Sequence, residues 1–232
     1  MEFETNVTNI VSRTYNVKSF RFPRPSSLNY KAGQFMFITI RSGEEEMRKH
    51  FTISSSPTEK DFIEFTKKLT GSRFSDALDA LKVGDWARIE VPYGVFTFEG
   101  EFEKIGMLSG GIGITPLRSM CKYCTDMRFE TKITLLYGNQ LEKDIIFRRE
   151  FEEMQVRNEN LKVVFTVSEP NESWMGHTGR INAQMIETEI PDYMERIFYT
   201  CGPPKMVEAM DDLLKDLGVP QRQIKKENFP GY

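Results

Sequence analysis

A glycine-rich turn, Gly110-Gly111-Ile112-Gly113-Ile114-Thr115-Pro116, stands between a short apolar run at residues 105–109 and a segment with helical apolar spacing. Pro116 suits the first turn of a helix, where its missing N–H has no partner to lose. Glycines let backbone amides approach a ligand closely, and a helix N-terminus aims those amides and its dipole at an anion. Read alone, the turn fits a pyrophosphate site and a plain tight connection equally well. It also departs from the G-x-G-x-x-G fingerprint. Gly111 and Gly113 fit, but Pro116 takes the third place, and Tyr137-Gly138-Asn139-Gln140 at the next strand end brings no acid for a ribose.

The pattern differs on the two sides of this turn. Before about residue 98, short β-rich stretches at residues 35–40, 51–53, 62–65 and 87–91 are each bounded by Gly, Pro, Ser or Asp, which predicts a small antiparallel barrel or sandwich. One helix interrupts them, with Phe74, Ala77, Leu78 and Leu81 at helical spacing before Gly84-Asp85. After residue 104, buried-type strands at 105–109, 133–137, 163–167 and 197–200 alternate with helical stretches, so a parallel sheet with crossover helices follows. Met206, Val207, Met210, Leu213, Leu214 and Leu217 form the apolar face of the last helix, started by Pro203-Pro204 and stopped by Gly218 and Pro220. The expected fold is an N-terminal antiparallel β-barrel over residues 1–100 and a parallel-sheet α/β domain over residues 104–232, a partition that suits 232 residues.

Charge and counting exclude several classes. Lys and Arg total 31 against 34 Asp and Glu, a net −3, so no global field draws nucleic acid or an anionic membrane surface. No run of 18 apolar residues predicts a membrane span, and residues 1–11 lack a basic stretch followed by an apolar run, so the expected compartment is the cytoplasm. Three cysteines make no disulfide framework, and two histidines make no histidine-rich metal site.

Four further stretches carry candidate chemistry. Lys49-His50-Phe51-Thr52-Ile53-Ser54-Ser55-Ser56-Pro57 sets a cation, an aromatic and hydroxyls on a strand and its turn, where alternation lets Phe51 face a flat ring, although an ordinary strand ending in a serine turn reads the same way. Thr70-Gly71-Ser72-Arg73-Phe74-Ser75 opens the helix of the first half and offers amides to an anion or simply a cap. Cys201-Gly202-Pro203-Pro204 ends a parallel strand, where ligands of open α/β sheets gather, though Cys201 also fits as a buried thiol. Cys121 and Cys124 share one face within a helix and read as packing rather than as a redox pair.

Taken in order, these stretches resemble the ferredoxin–NADP(H) reductase superfamily along essentially the whole chain. Lys49-His50-Phe51-Thr52 is similar to its flavin motif Arg-x-(Tyr/Phe)-(Ser/Thr), and residues 71–75 to its flavin phosphate motif. Gly84-Asp85 with Pro92-Tyr93-Gly94-Val95-Phe96 resembles a further flavin-domain run. Residues 110–116 resemble the nucleotide motif, and Cys201-Gly202-Pro203-Pro204-Lys205-Met206 the Cys-Gly-Pro-x-x-Met motif. Trp174-x-Gly176-x-x-Gly179-Arg180-Ile181 and the ending Glu227-Asn228-Phe229-Pro230-Gly231-Tyr232 are also similar.

The resemblance implies FAD as cofactor and NADH or NADPH as hydride donor. Phe51 is expected against the isoalloxazine and Thr52 near its N5, with Arg48, Lys49, His50, Ile53, Ser54, Phe65, Thr66 and Lys67 around the flavin and Gly71, Ser72 and Ser75 facing its phosphates. Gly110, Gly111, Gly113, Thr115, Pro116, Ser168, Gly202, Pro203 and Met206 are expected to hold the nicotinamide nucleotide, with Cys201 beside its C4. Thr52, Cys201, Glu227 and Phe229 are the expected catalytic residues, and Phe229 or Tyr232 the shield on the other flavin face.

Two departures matter. Lys49 replaces the motif arginine, a point charge instead of a fork, and Arg48 one place earlier points to the opposite face. Ser168-Glu169 stands where NADPH-preferring relatives often carry Ser-Arg, and a carboxylate there repels a 2′-phosphate, which favours NADH. Arg148 and Arg149 reverse that preference if they point into the site. With three cysteines there is no four-cysteine iron–sulfur ligand set, so the expected acceptor is a separate protein, such as ferredoxin or another redox protein, or a small molecule. The alternatives are a free-flavin reductase and an electron-transfer subunit of a larger complex.

Overall fold

The computed structural model describes residues 1–229. Its first part is antiparallel: β1 (Glu2–Asn6), β2 (Asn9–Thr14), β3 (Val17–Pro23), β4 (Phe35–Ser42), β5 (Glu45–Thr52), β6 (Phe62–Lys68), α1 (Arg73–Ala80) and β7 (Trp86–Tyr93). The strands form a four-stranded sheet, β1-β7-β4-β5, and a three-stranded sheet, β2-β3-β6. An isolated bridge between Ile53 and Phe65 joins them and closes the barrel on that side. Alternation along β4 sends Met36, Ile38 and Ile40 inward, where they pack with Phe20, Phe22, Phe65 and Ile89, while Phe35 and Phe37 stay partly exposed on the other face.

The second part is β8 (Lys104–Gly110), α2 (Ile114–Met127), β9 (Lys132–Asn139), α3 (Arg148–Arg157), β10 (Leu161–Val167), β11 (His177–Thr178), α4 (Ala183–Glu189), β12 (Ile197–Gly202), α5 (Pro204–Asp216) and β13 (Ile224–Asn228). All pairings in its sheet, β11-β10-β9-β8-β12-β13, are parallel. Both faces are covered, as a parallel sheet requires. Met107, Leu135 and Tyr199 pack on one face with Leu117 and Met120 of α2 and Phe151 of α3, whereas Leu108, Leu136 and Phe198 pack on the other with Ile186 of α4 and Leu214 of α5. The chain leaves β8 toward β9 on one side and returns through β12 on the other. The crevice at the strand C-termini between β8 and β12 is therefore the switch point where ligands of such sheets bind. Five strands lie outside the expected set: β1, β2, β3, the two-residue β11 and the terminal edge strand β13.

Candidate functional site

The glycine turn sits at that switch point. Gly111 has φ +52°, a left-handed conformation that favours glycine, and its carbonyl accepts the Tyr137 hydroxyl at 2.9 Å. A Cβ on Gly113 would lie 2.4 Å from the Cys201 carbonyl oxygen, so only glycine lets the start of α2 close on β12. Two cavities open beside this contact, about 570 Å³ and about 680 Å³, and Ile112 lines both.

The first cavity lies between the barrel and the parallel sheet. β5 contributes Arg48, Lys49, His50, Phe51 and Thr52, β6 contributes Thr66 and Lys67, the start of α2 contributes Thr115, and the C-terminal strand contributes Glu227, with Phe229 following it. Phe51 stacks on Phe65 at 4.8 Å, which fixes its ring as one wall. Phe229 lines the cavity from the parallel-sheet unit, its N–H donating to the Gly202 carbonyl at 2.9 Å. Strand alternation separates Arg48 from Lys49. Arg48 lies over the Phe37 ring at 3.8 Å and pairs with Glu90 at 2.7 Å, while Lys49 is directed over Phe74 of α1 at 5.6 Å.

Two titratable groups in this cavity are perturbed in the sense expected of a site that takes an anion and a proton. Burial, with Lys49 and Lys68 nearby, pushes Lys67 down to about 8, so a bound phosphate would relieve a crowded positive corner. Burial pushes the Glu227 carboxyl up to about 7, and its Oε2 has no hydrogen-bond partner among the described residues. These groups, the aromatic wall and the hydroxyls of Thr52, Thr66 and Thr115 fit a flavin: a flat apolar ring with polar edges joined to a dianionic tail.

Other expected flavin residues lie outside this lining. Ile53 and Phe65 are fully buried in the barrel core. Ser54 is also buried, its hydroxyl donating to Glu64 at 2.8 Å. Gly71 and Ser72 are exposed at the N-terminus of α1, where Ser72 caps the helix, and the Ser75 hydroxyl accepts the Thr70 N–H at 3.1 Å. Cys201 is fully buried, its thiol 3.1 Å from the Gly113 carbonyl and pushed well up by burial and then by Glu227. Gly113 and Pro116 form the packed start of α2. Tyr232 lies outside the described residues.

The second cavity gathers Gly110, Gly111, Ser168, Pro203 and Met206 around the switch point, together with Gln140, Glu169, Arg180 and Lys205. Glu169 accepts from the Gln140 side chain at 2.7 Å. Arg148 and Arg149 do not enter it: Arg148 lies over Phe165 and Trp174 and pairs with Glu142 and Glu152, and Arg149 pairs with Glu153 at the surface. Asn16, Val17 and Lys68 of the barrel also line this cavity, a contribution that sequence reasoning missed because no local motif marks a hairpin tip that reaches across to another unit. Phe35 and Phe37 were missed as well. Their signal was present, since aromatics on the outward face of an alternating strand call for a partner.

Cys121 and Cys124 are buried and free, Cys121 pushed up to about 12 by burial and Cys124 also raised, so neither offers a thiolate. No helix among the described residues is long and apolar enough to cross a membrane.

A barrel joined to a doubly covered parallel sheet, with one cavity between them and another at the switch point, defines a two-domain flavin and pyridine-nucleotide oxidoreductase fold. An oxidoreductase FAD-binding domain matches residues 3–98 and an oxidoreductase NAD-binding domain matches residues 107–212. The chain belongs to the ferredoxin–NADP(H) reductase superfamily. It is 32% identical over 227 residues to the glycine betaine monooxygenase reductase subunit of Pseudomonas aeruginosa, covering 95% of this chain and 62% of that protein. It is 29% identical to NADH-cytochrome b5 reductase 1 of Dictyostelium discoideum, covering 90% of this chain and 76% of that one. The cytochrome b5 reductase domain of Ulva prolifera nitrate reductase superposes with a TM-score of 0.86 at 25% identity, covering 98% of this chain and 97% of that one. The chain thus spans a little under two thirds of the reductase subunits it matches.

Proposed function

We propose that this chain is a flavin-dependent NAD(P)H oxidoreductase, with FAD held by residues 1–100 and the nicotinamide nucleotide by residues 104–232. One observation carries the reading: Thr52 of the barrel and Thr115, Glu227 and Phe229 of the parallel-sheet unit converge on a single cavity, which adjoins a second at a helix N-terminus. Bound flavin supplies hydride acceptance and release of single electrons. The protein supplies position and electrostatics. Phe51 and Phe229 would flank the ring, Thr52 would present a hydroxyl to its edge, and Lys49 and Lys67 would neutralise the phosphates. Glu227, poised near neutral pH, holds or releases a proton beside the ring. Gly110 and Gly111 receive the pyrophosphate of the dinucleotide at the start of α2.

NADH is the favoured donor. Glu169 lines the second cavity, bonded to Gln140 and sharing the lining with Arg180 and Lys205, while Arg148 and Arg149 are engaged elsewhere. The acceptor is a separate redox protein, as the names of the reductase-subunit and cytochrome b5 reductase relatives suggest. The test is the visible spectrum of the purified, desalted protein before and after anaerobic NADH. A yellow protein that bleaches supports the reading. A colourless protein that reduces added flavin is a free-flavin reductase, and one that does neither defeats the enzyme reading.

A further inference from the structure

The cavity between the two units exists only while they stay docked, because Thr52 ends β5 of the barrel and Thr115 lies in the first turn of α2. Two residues beyond Thr52, the segment 54–56 is fully buried against the parallel-sheet unit. Three residues beyond Thr115, Arg118 is 2% exposed and donates to the Ser54 carbonyl at 2.9 Å. The same guanidinium donates to Glu59 at 3.1 Å and to Glu150 of α3 at 2.6 Å and 2.9 Å. Ser119 adds a hydroxyl donated to the Ser55 carbonyl at 2.7 Å.

The path returns from Glu150 to the barrel. Arg13 of β2 bridges Glu150 at 2.6 Å and Glu64 of β6 at 2.9 Å, and the Ser54 hydroxyl donates to that same Glu64 carboxylate at 2.8 Å. Ser54, Arg118, Glu150, Arg13 and Glu64 thus form a closed ring that crosses between the units twice. The Phe147 ring lies against both guanidinium groups, 4.7 Å from Arg13 and 5.6 Å from Arg118. A buried ionic ring gains little net stability, because desolvation offsets the attraction. It does supply fixed direction, since a planar guanidinium bonds only along its own fork and each ring member is held from two sides.

We infer that Arg118 is a positioning residue for hydride transfer, the ring holding Thr52 and Thr115 at a fixed spacing and so setting how closely nicotinamide and flavin meet. This rests on the reading that the cleft takes those two groups. A displacement of about 1 Å between reacting groups can cost roughly 100-fold in rate. The ring should therefore show in the rate and not in the binding.

The experiment compares wild type with Arg118→Gln, Glu150→Gln and Glu150→Asp. Amide hydrogen exchange of the flavin-free proteins is read at residues 53–56 and 115–119, and hydride transfer is read by anaerobic stopped flow. The expected result for both Gln variants is at least tenfold faster exchange in those two segments with β3 and β4 unchanged. Their hydride-transfer rate should fall about 10- to 100-fold with flavin content and NADH affinity within twofold, and Glu150→Asp should recover most of it. Unchanged exchange, a rate within twofold of wild type, or a rate that falls only in step with lost flavin overturns the inference. If Arg118→Gln does not fold, Glu150→Gln decides alone. If wild-type protein fails to bleach with NADH, the functional reading fails, while the exchange data still judge the ring.

Discussion

Cys201 and Glu227 stand side by side in register on the neighbouring parallel strands β12 and β13. The thiol is sealed against the Gly113 carbonyl, while the carboxyl lines the cleft with one oxygen unpartnered among the described residues. This pairing puts a hard-to-ionise acid behind the cavity wall and an easily switched one on it.

The raised Glu227 carboxyl makes stability fall with pH. Below pH 4.5 the group is protonated in both folded and unfolded chains. Between pH 4.5 and about 7 only the unfolded chain ionises, so the folded state loses up to about 3 kcal/mol, a loss constant above pH 7. Glu227→Gln should melt several degrees above wild type at pH 8 and together with it at pH 4. Equal melting at pH 8 would show that the carboxyl is not strained.

Flavin affinity should depend on Lys67. Its pKa near 8 in the flavin-free chain rises when a phosphate binds, so affinity is full below pH 8 and declines above it by at most about tenfold per pH unit. Fluorescence titration of FAD between pH 7 and 10 reads this directly, and Lys67→Met should be weaker at pH 7 with a flatter profile. A wild-type profile without a bend near pH 8 rejects the assignment.

Glu169→Arg should raise the ratio of kcat/KM for NADPH over NADH by at least about tenfold, equivalent to about 1.4 kcal/mol, by exchanging repulsion of a 2′-phosphate for attraction. An unchanged ratio would place the 2′ position elsewhere in the second cavity.

Gly113→Ala should destabilise the chain by about 1 to 3 kcal/mol in urea unfolding, because the new methyl meets the backbone of Cys201 and Gly202 instead of a yielding side chain. A variant as stable as wild type would mean that the start of α2 can retreat without cost.

The parallel-sheet unit was legible because its strands are short apolar runs and α5 carries a clean apolar face between Pro204 and Gly218. β1 and β13 were not, since Glu2–Asn6 and Ile224–Asn228 are polar edge strands stabilised by the neighbour they pair with. β5 was read only near its end. Its earlier part, Glu45–Lys49, is held by pairing with β4 and by surface ion pairs such as Arg48–Glu90 and Arg41–Glu46, which no local pattern shows. The site followed the same division. Lys49, Thr52 and Gly110 lie in contiguous motifs, whereas Arg13, Glu64, Arg118 and Glu150 meet only through the tertiary fold.

All three thiols of this chain are buried, and all belong to the parallel-sheet unit. An aromatic disulfide reagent should therefore find nothing to modify in the native protein and react only as that unit opens, while the cysteine-free barrel stays silent. The rate of labelling becomes a built-in gauge of how often the nucleotide half breathes, and any nucleotide seated at the start of α2 should slow it.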